Sequence, residues 1–329
     1  GLDSTDGWIR STTVKLHGYV PSGTYYLIVQ IRDDAFYAGK ADTVIVTLAS
    51  PDFDISDSTI LQEYVDGTYE HKILIIDQNN AILYPNAETV WAFYDDIFNG
   101  LKSDGVIADY ERRLSSSGYL EVPRVDLAEY SILYILDQEF FSTGSKLSQY
   151  SLEELMQYVK VGGRVIVDGR DVFGNESPDW DEIPSYDYFG LNEYSEGCIG
   201  EIFDHAIANK GIHGYPDLVL DASKTFGGAT AIKGVTRLGK RSPSYDGSVY
   251  TEILYRFGLV STASATDTTN YHEVPVAVRR VTPSYRSAYF AFPLYLMNND
   301  NGEVEDVIRE TVEFIKTHII PPEPDTTES

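Results

Sequence analysis

Three short, nearly unbroken apolar runs constrain this chain more than any other feature. They are Lys72-Ile73-Leu74-Ile75-Ile76-Asp77, Ser131-Ile132-Leu133-Tyr134-Ile135-Leu136-Asp137 and Arg164-Val165-Ile166-Val167-Asp168-Gly169. A strand with one face in water alternates apolar and polar residues, whereas one covered on both faces does not. The stretches between them carry helical spacing. Val90, Phe93, Tyr94, Ile97 and Leu101 share one face, with Asn99-Gly100 near its end. Leu152, Leu155, Met156 and Val159 share another. Ser151 and Glu154 have the spacing of a capping box, and Gly162-Gly163 supplies a stop. Strand, helix, strand, helix, strand predicts a mostly parallel sheet flanked by helices, an α/β fold with right-handed crossovers.

Beyond the third run, residues 172–250 are rich in Gly, Pro, Tyr and Asp and read as an elaborated insertion with short strands. Regular patterning returns at 251–257, 274–280 and 287–292, expected to be late, partly antiparallel strands. Val304, Val307, Ile308, Thr311, Val312 and Ile315 mark a last helix. Ahead of the α/β part, residues 13–16, 24–31 and 43–48 read as strands. Residues 51–69 read as a linker, 70–319 as the α/β domain and the Pro-rich 320–329 as a second linker.

Two resemblances follow from these stretches. The order of turn, Gly23–Asp34 strand, loop and strand resembles the second half of a fibronectin type III or immunoglobulin-like domain, giving residues 1–50 as a small all-β segment. The stretches 72–77, 90–100, 157–169 and 288–298 together resemble the class I glutamine amidotransferase-like domains of large secreted bacterial proteins. That resemblance implies a flavodoxin-like α/β fold, and for catalysis a cysteine at the turn after a buried strand with a His–Glu pair downstream. The turn here is Asp168-Gly169-Arg170-Asp171. Cys198 lies some 30 residues further on, and His272 and Glu273 are adjacent, so on a strand they point to opposite faces. The resemblance implies the fold and not the activity.

The 329 residues carry a formal charge of −26, which repels phosphate backbones and argues against nucleic-acid binding. A single cysteine excludes an internal disulfide, and no apolar run approaches the ~18 residues of a membrane span. Both ends read as cut from a longer polypeptide, and the resemblance to domains of secreted proteins implies a secreted or cell-surface location.

The residues with most chemical reach are the aspartates that end the three runs. In an open parallel sheet the strands' carboxyl ends share one edge, where ligands bind. Asp77, Asp137 and Asp168, with Arg170 and Asp171 beside them, could collect Mg²⁺ or Ca²⁺ through oxygen ligands, or raise one another's pKa for acid–base work. The competing reading is that aspartates end strands because they bond local backbone amides. The six histidines show no metal-ligand spacing, and no resident cofactor is expected. Tyr186, Tyr188, Tyr194 and Tyr215 are the candidates for an exposed partner surface. Three functions remain open. The first is a non-catalytic structural or interaction module, a possible surface-assembly subunit whose partners are other domains of the same polypeptide or other surface proteins. The others are a metal-assisted hydrolase and a carbohydrate-binding module with glycan partners.

Overall fold

The computed structural model describes residues 23–29, 42–48, 72–79, 85–115, 130, 132–138, 147, 149–160, 163–170, 172–173, 184–194, 198, 200–240, 243, 249–282 and 285–316. Strands β1 (Gly23–Val29) and β2 (Asp42–Leu48) pair antiparallel as a two-stranded sheet. The expected strand at 13–16 and the Asp33-Asp34 loop lie outside the described residues. The described part of 1–50 is therefore a single pair of strands, and nothing in it forms the two packed sheets of an immunoglobulin-like sandwich.

The three apolar runs become β3 (Lys72–Asp77), β5 (Ile132–Asp137) and β6 (Arg164–Gly169), with almost every residue buried. They lie side by side in parallel, with Ile73 opposite Ile132 and Ile132 opposite Arg164. The full sheet has nine strands in the order β4-β3-β5-β6-β13-β12-β11-β8-β9. The added strands are β4 (Asp109–Leu114), β8 (Phe203–Ala208), β9 (Leu218–Val219), β11 (Tyr250–Leu259), β12 (Pro275–Val281) and β13 (Arg286–Phe290). Pairings from β4 to β13 are parallel and those from β13 to β9 antiparallel. The sheet is thus half parallel and half antiparallel, a correction to the mostly parallel expectation. Two of its antiparallel strands, β8 and β9, come from the stretch expected to be an insertion. Two more short strands of that stretch, β7 (Leu191–Tyr194) and β10 (Leu238–Lys240), pair with each other.

Helices cover both faces. On one face α1 (Ala87–Ser103) and α5 (Glu303–Lys316) bury Val90, Tyr94, Phe98, Leu101, Val307 and Ile308 against Ile73, Ile75, Tyr134 and Ile166. On the other, α2 (Gln149–Lys160) buries Leu152, Leu155 and Val159 against Leu74, Ile76, Ile135 and Val167. Each of these large apolar side chains contributes roughly 1.5–3 kcal/mol on burial. Helix α1 is capped by Asn86, whose side chain accepts from the Glu88 and Thr89 amides. The expected capping box at Ser151 is corrected: α2 begins at Gln149, and Ser151 is a buried residue within the helix. A capping box does exist at Ser264 and Asp267, where it starts α4 (Ala265–Tyr271). The short α3 (Pro184–Tyr188) completes the set.

Candidate functional site

From β3 the chain runs through α1 to β4 on one side, while β5 lies on the other. The boundary between β3 and β5 is therefore the point where the winding reverses, and in open α/β sheets a ligand crevice forms outside the strand ends there. Strand-end residues Asp77, Gln78, Asn79, Asp137 and Gln138 sit at this boundary, all buried.

The three aspartates do not converge. Register places Asp77 opposite Leu136, and Leu136 opposite Asp168. Asp77 and Asp168 thus point to the α1 face, in one row with Leu136 between them. Asp137 lies one residue further along, opposite Gly169, and so points to the α2 face. Three runs that each end in aspartate look equivalent in sequence, but a one-residue offset in β5 sends its carboxylate through the sheet.

Asp168 is fully buried and surrounded by donors. Tyr94 Oη on α1 and Tyr134 Oη on β5 donate to its Oδ2 at 2.5 and 2.9 Å. Gln138 Nε2 and the Leu294 amide donate to Oδ1 at 2.8 and 3.1 Å. Gln138 also accepts the Tyr295 amide on its Oε1 at 2.9 Å, and so joins the strand end to the 294–296 turn. Burial pushes the Asp168 carboxyl up to about 6, against the four hydrogen bonds that pull it down. Burial and the neighbouring carboxylate push the Tyr94 and Tyr134 phenols well above their ordinary range, so both remain donors.

Asp77 is held differently. Arg112, from β4, donates to its Oδ2 through Nε at 2.9 Å and lies 2.7 Å away through Nη2. Asn79 donates to Oδ1 from its backbone and side-chain amides at 2.9 and 2.6 Å. Burial raises the Asp77 carboxyl pKa, with Asn79 and Arg112 opposing it. The Arg112 guanidinium also lies 4.5 Å from the centre of the Trp91 ring. Asn79 Oδ1 then accepts the Gln138 amide at 2.7 Å across the reversal point. One continuous chain of polar contacts runs Arg112–Asp77–Asn79–Gln138–Asp168–Tyr94 and Tyr134.

The remaining candidates are dispersed. Arg170 is buried and donates to the Lys233 carbonyl at 2.9 Å; Asp171 lies outside the described residues. Among the described residues no group of three or more His, Cys, Asp or Glu is placed to hold a metal ion. Cys198 is buried, burial raises its thiol pKa, and its backbone pairs with Gly234 and Val235. His205 pairs with the adjacent Asp204. The expected tyrosine surface is corrected as well. Tyr188 packs against Tyr285, and Tyr215 is buried against Tyr255 with its hydroxyl on Thr311. Only Tyr186 is exposed, and the side chain of Tyr194 lies outside the described residues. Sequence reasoning missed Gln138, Asn79 and Arg112. The signal it could have used is Tyr94 and Tyr134 within otherwise apolar stripes, since a buried phenol needs an acceptor.

These features define a mixed α/β protein with a buried polar network at the carboxyl edge of its parallel strands. No family model matches the chain, and no curated protein does. Among solved structures it is similar to a ThuA-like protein of Bacteroides uniformis, at 13% identity over 72% of this chain and 88% of that one, with a TM-score of 0.42. Two cytoplasmic proteins of Salmonella typhimurium are similar at 10% and 11% identity, covering 89% and 75% of this chain and 96% and 100% of theirs, with TM-scores of 0.38 and 0.41. Likeness at this level carries no argument about activity. The resemblance to secreted amidotransferase-like domains beside fibronectin-like modules is corrected: the structures named here are a ThuA-like protein and two cytoplasmic proteins, and the described residues of 1–50 form one pair of strands. No helix among the described residues is long and apolar enough to cross a membrane.

Proposed function

We propose that this chain is a non-catalytic structural or interaction module, whose α/β sheet serves as a rigid body for other domains or partner proteins. The observation that carries this reading is the Asn79–Gln138 bridge across the winding reversal. The side chains of Asp77, Asn79, Gln138 and Asp168 at that boundary are bonded to one another or to neighbouring elements of the chain. The four donors on Asp168 and the Arg112 pair on Asp77 leave both carboxylates committed to the protein. A bonded side-chain network rigidifies the fold around it, while the neighbouring Gln78 carboxamide is buried without a hydrogen-bond partner among the described residues.

The metal-assisted hydrolase reading needs Asp77, Asp137 and Asp168 on one cation, and the offset of Asp137 to the opposite face works against it. Thermal unfolding with millimolar Mg²⁺, Ca²⁺ or Mn²⁺ tests the choice. A ligand that binds only the folded state raises the melting temperature with concentration. The module reading expects no cation-dependent rise. A rise that disappears in Asp77→Asn or Asp168→Asn would establish a cation site at the strand ends and overturn it.

A further inference from the structure

At the amino edge of the parallel strands, opposite the edge that carries Asp168, one row of residues crosses four strands. Val165 of β6 lies opposite Ser287 of β13, Ser287 opposite Arg280 of β12, and Arg280 opposite Thr251 of β11. Val165 belongs to the apolar layer under α2, so the row brings Ser287, Arg280 and Thr251 to that same face. The segment between α3 and β7 covers them. Ser287 Oγ donates to the Tyr188 carbonyl at 2.8 Å, and Thr251 Oγ1 to the Gly190 carbonyl at 3.3 Å. Arg280 is held beneath, 7% exposed, by a hydrogen bond from Nη1 to Thr251 Oγ1 at 3.3 Å. A guanidinium taken out of water in this way is stable only if an opposite charge meets it. Among the described residues Arg280 makes no ion pair, and its Nε is buried with no acceptor. Its Nη2 makes no hydrogen bond either and, unlike Nε, is not closed off from solvent. The contrast is with Arg279, the next residue and on the other face, which pairs with Glu252 at 2.6 Å. Arg164 and Arg286, one residue nearer the edge in the same register, bring further positive charge to this end of the sheet. The chain as a whole carries −26, so the concentration of arginine is local.

The structure assigns an oxyanion site to Arg280: one small phosphate or carboxylate anion bonds the Nε–Nη2 edge of its guanidinium, entering from the Nη2 side, while Thr251 holds Nη1. The N–H bonds on that edge are parallel and spaced to meet two oxygens of one carboxylate or phosphate. The anion supplies the counter-charge that the surrounding chain does not, and the neighbouring arginines draw it to this edge. Gly190 belongs to the design, since a Cβ there would lie 2.0 Å from Arg280 Nη1 and push the group out of place. The site lies across the sheet from Asp77 and Asp168 and stands independently of the module reading.

The test is urea unfolding of the intact chain and of Arg280→Met, which keeps an apolar stem and removes the guanidinium. Each is measured in sodium phosphate, sodium acetate and sodium chloride at neutral pH and matched ionic strength. Phosphate strengthens apolar burial in any protein, an effect common to both chains. At about 50 mM phosphate or acetate the unfolding constant of the natural chain should fall about 5-fold more than that of the variant, as expected for a dissociation constant of about 10 mM. A response to phosphate alone assigns a phosphate site, and a response to acetate alone a carboxylate site; either supports the proposal. Should Arg280→Met not fold, the Arg280 Nε–H resonance of the natural chain decides, with a saturating shift on adding either anion as the supporting result. Equal responses of the two chains, or an Nε–H resonance that neither anion moves, would overturn it.

Discussion

Tyr94 Oη lies 2.5 Å from Asp168 Oδ2, a contact between residues 74 apart that ties the first helix to the third buried strand. Its geometry makes Tyr94→Phe a clean deletion, since the ring stays and only the donor goes. Hydrogen bonds to charged groups are worth about 1.5–3 kcal/mol, and a loss of that size is expected at neutral pH. Urea unfolding at pH 7.5 measures it. A loss below about 0.5 kcal/mol would show that the phenol contributes little to holding the helix.

Arg112→Ala should cost more. Asp77 is wholly buried, and removing its guanidinium leaves the carboxylate without a counter-charge. Breaking a buried pair in this way costs about 3–5 kcal/mol, much of it the isolated charge rather than the lost bond. Adding Asp77→Asn to the Arg112→Ala background should therefore restore part of the stability. A double variant no more stable than Arg112→Ala alone would contradict the pairing.

Much of this architecture was legible because burial leaves a mark on composition. Continuous apolar runs gave β3 and β6 with their observed limits, and periodic stripes located α1, α2 and α5. The edge strand β4 was missed because Asp-Tyr-Glu-Arg-Arg-Leu is covered on one side only and has no apolar run. Strands β8 and β9 were misplaced into an insertion, since no local pattern tells a short strand which sheet it joins. The site was less legible still. Asp77, Asp137 and Asp168 stand out in sequence, but the register that separates Asp137 from the other two is tertiary, and Gln138 carries no signal of its own.

Phe98→Ala supplies a comparison that removes none of the hydrogen-bonding atoms around Asp168. Phe98 is fully buried among Tyr94, Tyr110 and Tyr134. Truncation should cost about 3–5 kcal/mol through lost burial and a residual cavity. Differential scanning calorimetry should show a lower melting temperature, and the pH dependence of stability should keep the natural shape. A changed pH profile would mean that the core and the Asp168 network are not separable.

Gly190→Ala tests a backbone requirement. Gly190 has φ +66°, and a Cβ there would lie 2.0 Å from Arg280 Nη1 and 2.1 Å from Thr251 Oγ1. Left-handed backbone alone costs an alanine roughly 1–2 kcal/mol, and displacing the Arg280–Thr251 contact adds to it. A loss of more than about 2 kcal/mol is expected in urea unfolding. A neutral result would show that the turn relaxes freely.

The central claim is that the carboxylates of Asp77 and Asp168 at the strand ends are committed to donors of the chain itself. A high-resolution crystal structure, grown with millimolar Mg²⁺, Ca²⁺ or Mn²⁺, tests it most directly. The prediction is that Asp168 keeps only Tyr94, Tyr134, Gln138 and Leu294 around its carboxylate, with Asn79 still bonded to Gln138. A cation within about 2.0–2.6 Å of Asp77 or Asp168, the range of oxygen ligation, would contradict it.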